Sequence, residues 1–470
     1  PNTFYDERTC PMKLSKIYPF LLVFILFATS CQPTPLSQAV INKNDGNLEI
    51  IIAQEAIDVN QVNFPGQNRV TITPEKISDA CFYEVNADVQ FPFSALPVAK
   101  VRQRVFDIGF YNSIINYFFP ESSVYHQREI RTKNDYECEI IQMKKYLTDY
   151  SSDMIADEIH AREEYIHKLE FEMQNAPEVV EDIKFDFDNV LPNTDFEALV
   201  IKDPYEITLR GKLGGSYFHM LTGTIQTEKM VLMGGAIPGE EGGRGLMNVQ
   251  INETTAINTV NKLLAELGIY DLNLVTIVKA RELNTSMPSQ PEDMVETEGY
   301  YLTYMRSLGA LDTVDLGTGG LVRNYEEPAT IAPWGQERIR VFVDHNGIRA
   351  FLWDYASEVV EVENNSVQIL PFDQIITRLK QQLKYRYSYV QDLVKTDPYA
   401  EMQIKINSIK LGLSMIGIAD KQNYCRLIPS WYVLYDEIYT KTGIIEHEAL
   451  VFNAIDGSQI EPRNVLAMYE

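Results

Sequence analysis

His160 and His167 stand with Glu163 and Glu164 at spacings of three and four residues, so a helix would put them on one face. Two imidazoles and a carboxylate so placed could hold a divalent metal. The order is not His-Glu-x-x-His, however, and Asp157, Glu158 and Lys168 make the stretch read as an ordinary solvated helix surface. Asp186, Asp188 and Asp195 invite a calcium loop, which needs glycine at its sixth position and glutamate at its twelfth. Counted from Asp186 those positions are Leu191 and Glu197, so the turn glycine is missing and a surface loop is expected. The glycine-rich run from Gly234 to Gly245 lacks the Gly-Lys-Ser/Thr ending of a phosphate loop, and Glu240 and Glu241 would repel phosphate. Ser216 follows two glycines without a Gly-x-Ser-x-Gly elbow around it. Trp353 and Trp431 fall inside strand patterns, where core packing accounts for them. Trp334, after Pro333, is the better candidate for an exposed ring that contacts a ligand such as a glycan. These patterns lead us to expect no catalytic residue, no metal ligand and no cofactor.

Cys31 is a different case. Met12, Lys13 and Lys16 form a short basic region, Ile17 to Ala28 is almost wholly apolar, and Ala28, Thr29 and Ser30 are small. That is the layout of an export signal. The apolar run would span about 18 Å as a helix, against about 30 Å for a bilayer core, so it reads as a removed leader. Ala28-Thr29-Ser30 fits an ordinary cleavage site, which would give a free secreted protein. With a cysteine directly after it, the segment resembles a bacterial lipobox, departing from it in carrying Ala28 where leucine is usual. The resemblance implies lipid on Cys31, a signal peptide over 12–31, and anchorage on the outer face of the cytoplasmic membrane. Residues 1–11 precede the expected start and read as an upstream extension.

The formal net charge is −25. Residues 1–30 carry Arg8, Lys13 and Lys16 against Asp6 and Glu7, so the remainder is one unit more negative. Such a surface repels nucleic acid, which we exclude as a partner. Hydrophobic content of 45%, with 11% aromatics, supports substantial cores. Cys81, Cys138 and Cys425 remain after the leader, widely spaced and without a CxxC. One disulfide or three separate buried thiols are both open.

The elements that must position these residues give an α+β fold. Residues 32–47 read as a tether, and 48–250 as an N-terminal α+β region. It includes a strand at Cys81 to Pro92 and a long helix over 135–174 ended by Pro177. Residues 251–355 and 356–470 read as two modules, each an antiparallel sheet packed with a helix. The first helix runs Asn252 to Leu267, with Ile257, Val260, Leu263 and Leu264 as its stripe and Gly268 as its stop. The second runs Phe372 to Tyr387, with Ile375, Ile376, Leu379 and Leu383. A short strand at Val367 to Leu370 precedes it. Asn346-Gly347 and Asp456-Gly457, 110 residues apart, each predict a type I′ hairpin turn.

From about Val85 onward the chain resembles a group of lipoproteins from Firmicutes. The resemblance rests on "VNADVQFP", "ERIRVFVDHNGIRAFLWD", "IKLGLSMIGI", "RLIPSWYVLYD" and "ALVFNAIDGSQIEP". The closing Ala454-Ile455-Asp456-Gly457 is similar to the end of PepSY-like modules, found in accessory subunits of cell-wall sensor kinases (the YycH and YycI proteins). This implies two PepSY-like modules and a non-catalytic envelope protein that binds or regulates another envelope protein, with no active site to carry over. A glycan- or small-ligand-binding role is the alternative, and an unrecognised hydrolase a further one. Open sheet edges could take an extended peptide by strand addition.

Overall fold

The computed structural model describes residues 45–460 except 121, 128–129, 151–155, 203–204, 228–248, 284–296, 317–333, 419–420 and 422. Cys31, the leader, most of the tether and the run Gly234–Gly245 therefore lie outside the described residues. Two sheets and their helices make an α+β protein.

One sheet has eight strands. Strand β2 (Cys81–Gln90) shows how its sequence selects a face: Cys81, Tyr83, Val85, Ala87 and Val89 are buried while Asn86, Asp88 and Gln90 are exposed. This period of two is what a half-buried strand requires. β1 (Arg69–Ser78) pairs on one side of β2, and β15 (Met402–Gly417) on the other. β16 (Cys425–Tyr439), β17 (Ile445–Asn453) and β18 (Gln459–Ile460) follow in order. β3 (Val98–Gln103) pairs with the start of β16 and with β14 (Ser357–Asn364). The β2–β15 pair is parallel. Over it lie helices α6 (Phe372–Arg386) and α7 (Val390–Thr396), with Ile375, Leu379 and Leu383 in the core as the helical stripe requires.

The other sheet has ten strands. Its order is β4 (Val124–His126), β5 (Asp195–Lys202), β6 (Tyr205–Lys212), β7 (Phe218–Leu221), β13 (Gly347–Asp354), β12 (Arg338–Asp344), β10 (Thr297–Leu308), β9 (Leu272–Leu283) and β8 (Thr224–Thr227). β11 (Leu311–Asp312) pairs with β10. Helices α2 (Ile108–Phe118) and α5 (Glu253–Glu266) bury Tyr111, Ile114, Val260, Leu263 and Leu264 in its core. Asn252 caps α5 by accepting from the Thr255 amide at 2.8 Å.

The pairing departs from a division by sequence order. Strands β1–β3 of the expected N-terminal region join β14–β18 of the last module, while β4–β13 build the second sheet across the boundary expected at residues 250/251. The boundary at 355/356 does coincide with a change of sheet. Residues 104–356 are thus inserted into a unit made from both flanks. The crossings lie together: the Arg104 amide donates to the Ala356 carbonyl at 2.8 Å, and Tyr355 bends the return with φ of 52°.

Three local expectations change as well. The single helix over 135–174 is two helices, α3 (Lys133–Tyr150) and α4 (Ala156–Met173), with 151–155 outside the described residues. The Lys133 amide on the Pro177 carbonyl at one end and Arg162 over the Tyr146 ring at the other run them antiparallel. The run Thr148 to Asp153 is poor in helix formers, and folding back lets Met143 and Leu147 cover Ile166 and Leu169. Val367–Leu370 is extended but is not a strand, its amides instead meeting the Leu96 and Ala454 carbonyls from Val367 and Leu370. Neither hairpin turn is type I′, because only Gly347 (φ 115°) and Gly457 (φ 74°) have positive φ there. The Asp344 carboxylate accepts from the Asn346 amide at 2.7 Å, and the glycine that follows takes the left-handed position of a bulged turn.

Candidate functional site

The most concentrated polar chemistry among the described residues lies on the ten-stranded sheet and at its junction with the other. Cross-strand register sets Glu197, Arg210, His219, Leu352, Arg340, Thr303 and Thr276 directly opposite one another on successive strands, so they form one row on one face. Arg210 donates to Glu197 from Nε at 3.0 Å and from Nη2 at 2.8 Å. At the end of β13, Asp354 lies 2.7 Å from His219 Nε2 and accepts from Arg340 Nη2 at 2.6 Å. Burial alone would raise the Asp354 carboxyl. The His219 hydrogen bond and the Arg340 guanidinium outweigh it and hold Asp354 well below the usual carboxylate range. Arg338 faces Asp315 at 3.8 Å, and Asp315 accepts from Thr276 Oγ1 at 3.2 Å.

A second group lies directly behind, where the sheets meet. Arg306 on β10 and Glu337 ahead of β12 form a buried ion pair. Arg306 also reaches Asp271 and donates to the Ser357 carbonyl on β14 at 2.6 Å. Glu337 accepts from Ser357 Oγ at 2.8 Å and from Trp353 Nε1 at 3.0 Å. Burial would lower the Arg306 guanidinium, but the facing carboxylates of Glu337 and Asp271 outweigh it and hold Arg306 charged. One guanidinium and one carboxylate thereby connect five chain segments across the two sheets.

A histidine held by an aspartate can serve as a general base when a hydroxyl or thiol stands within reach. Ser216 does not supply one to it: its Oγ accepts from Gln103 Nε2 at 2.9 Å. The Tyr217 hydroxyl is turned to Asp195, donating at 2.7 Å. The arrangement is that of paired charges in a packed setting, suited to fixing β7, β12 and β13 and joining the sheets.

The residues singled out from the sequence do not converge. His160 lies 3.4 Å from Glu164 and His167 lies 3.3 Å from Glu170, each imidazole exposed and each with its own carboxylate. Among the described residues no three histidine, cysteine or acidic side chains could hold a metal ion. Asp186 closes a local turn, accepting from the Asp188 amide at 3.0 Å, while Asp195 serves Tyr217. Trp334 is not an exposed ring: it is 6% exposed and belongs to the core of the eight-stranded sheet. A stacking platform needs a free face, and this ring has none to offer.

Sequence reading missed His219, Arg306, Glu337, Arg340 and Asp354. The available signal was charge inside strand patterns: "RIRVFVD" places Arg338 and Arg340 two apart, on the same face of a strand, next to an apolar run.

No family model matches the chain, and no curated protein matches it. Among solved structures, an uncharacterized protein from Eubacterium rectale ATCC 33656 is similar with a TM-score of 0.45 and 11% identity, covering 90% of this chain and 100% of that one.

Proposed function

We propose that the chain is a non-catalytic envelope lipoprotein, held on the outer face of the cytoplasmic membrane through Cys31, that binds or regulates another envelope protein. The leader pattern and the resemblance beginning near Val85 support the location. The observation that carries the binding role is the hairpin of α3 and α4. Its core of Ile140, Ile166 and Leu169 is separate from the cores of both sheets. Each helix is about 27 Å long, and Ile141, Tyr165 and Phe171 remain exposed on it among charged residues. Its base is fixed by the Lys133 amide on the Pro177 carbonyl at 2.9 Å and by a Lys133–Glu178 ion pair. An anchored helical hairpin of this kind offers a partner helix faces to pack against.

The test has two arms. Crosslinking and pull-down from native membranes should recover a reproducible protein partner, lost in Ile141→Ser/Phe171→Ser while the fold is kept. The mass of the mature N-terminus should correspond to acylated Cys31. Recovery of no partner removes the binding role, and Met12 retained in cytosolic protein removes the location.

A further inference from the structure

We infer that residues 45–64 are a releasable strap, pinned to the body by Glu49 on Arg426. The strap consists of helix α1 (Asp45–Ile52) and the extended chain after it. Glu49 accepts from Arg426 Nη1 at 2.7 Å and Nη2 at 3.1 Å. The same guanidinium, buried on β16, also donates from Nη2 to Glu363 at 2.9 Å. Asn364 Nδ2 donates to the carbonyl of Ile52, one of the acceptors the helix end leaves open, at 3.0 Å and to that of Gln54, just beyond the helix, at 2.9 Å. Further along, the Ile57 amide donates to Ser366 O at 3.0 Å and Gln368 Nε2 to Gln61 O at 2.9 Å.

Two features make this attachment separable from the fold. Among strap residues 48–64, Leu48, Ile51, Ile57 and Phe64 are partly buried against the core, and only Ile52 and Val62 are fully packed into it. The groups left behind also keep partners: Arg426 retains Glu363, and Asn364 Oδ1 retains the Ser366 amide at 2.8 Å. Opening therefore strands no buried charge, which is the condition that would otherwise tie it to global unfolding. The strap takes over from the tether expected at 32–47, so on the anchored reading above its release adds residues 48–64 to the link between membrane and body. That is up to about 60 Å of further reach at 3.3–3.6 Å per residue. The consequence for reach rests on that reading, whereas the latch does not.

Hydrogen–deuterium exchange of the full chain reads the latch directly, whether or not Cys31 carries lipid. The amides of Ala53, Gln54 and Ile57 should exchange at least about 100-fold faster than those of Ser430 to Val433. Glu49→Gln should speed the strap about fivefold, and Asn364→Asp, which removes the two donors but keeps the Ser366 acceptor, should speed it as well. Neither should move the core amides. Strap amides that exchange at the core rate overturn the inference. So does a strap that neither variant moves, or a Glu49→Gln that shifts strap and core together. The mass of the N-terminus reports separately on the anchor.

Discussion

Arg306 donates from Nε to Glu337 at 2.7 Å, with both side chains almost wholly out of water at 4% and 1% exposed. Charges are stable there only because each is answered: Glu337 by Ser357 and Trp353, Arg306 by Asp271 and a β14 carbonyl. The pair is where the inserted sheet is fastened to the unit that encloses it.

Breaking that pair from one side should be costly. Arg306→Met or Glu337→Leu alone should each lose about 3–5 kcal/mol, because Glu337 is left with no counterion in the first and Arg306 with only the half-exposed Asp271 in the second. The double variant should lose at least about 2 kcal/mol less than the sum of the singles. Urea unfolding of the four proteins checks this, and simple additivity would show that the charges do not depend on one another.

Asp354 gives a pH dependence with a definite sign. Its folded-state value lies below the ordinary 3.8, so the stability it contributes is full above that value. It declines as the pH drops below about 4 and goes on declining toward the folded value. Asp354→Asn should be less stable near neutrality. Its acid limb should be shallower by as much as about 1.4 kcal/mol per pH unit. Melting temperatures from about pH 2 to 7 decide it, with parallel curves as the contrary result.

The local elements were legible in the sequence because one face of each carries the apolar residues. The stripe at Ile375, Leu379 and Leu383 and the alternation in β2 are set by contacts within a few residues. Strand partners were not legible, since nothing near Cys81 says that it lies beside Met402 in a parallel pair. The polar network was hidden for a related reason. Arg306 and Glu337 look like solvent-facing charges until segments 31 residues apart are brought together. Trp334 was misjudged because a neighbouring proline marks a turn without saying whether the turn is covered.

The helical hairpin should fail by itself. Leu169 is 1% exposed within a core that belongs only to α3 and α4. Leu169→Ala should cost about 2–4 kcal/mol locally. Exchange protection should fall across α3 and α4 while the melting of both sheets is unchanged. Loss of protection in β15 and β16 together with the hairpin would show a shared core.

The three described cysteines are buried, and no bridge joins them to one another. Burial pushes the Cys81 and Cys425 thiols up to about 12. At pH 8 the reactive thiolate is then only about one part in ten thousand. A thiol-specific reagent should leave both unlabelled in the native protein and label them on unfolding. Rapid labelling of either under native conditions would contradict their placement.

The side-by-side placement of β2 and β15 also governs the order of assembly. Cys81 and Met402 are brought together from opposite ends of the chain, so a ribosome releases the first strands long before their neighbours exist. The inserted residues 104–356 hold every strand of their own sheet and can mature while the chain is still growing. β2 must wait with one flank open until the strand beginning at Met402 arrives, which makes that interval the one most exposed to misassociation.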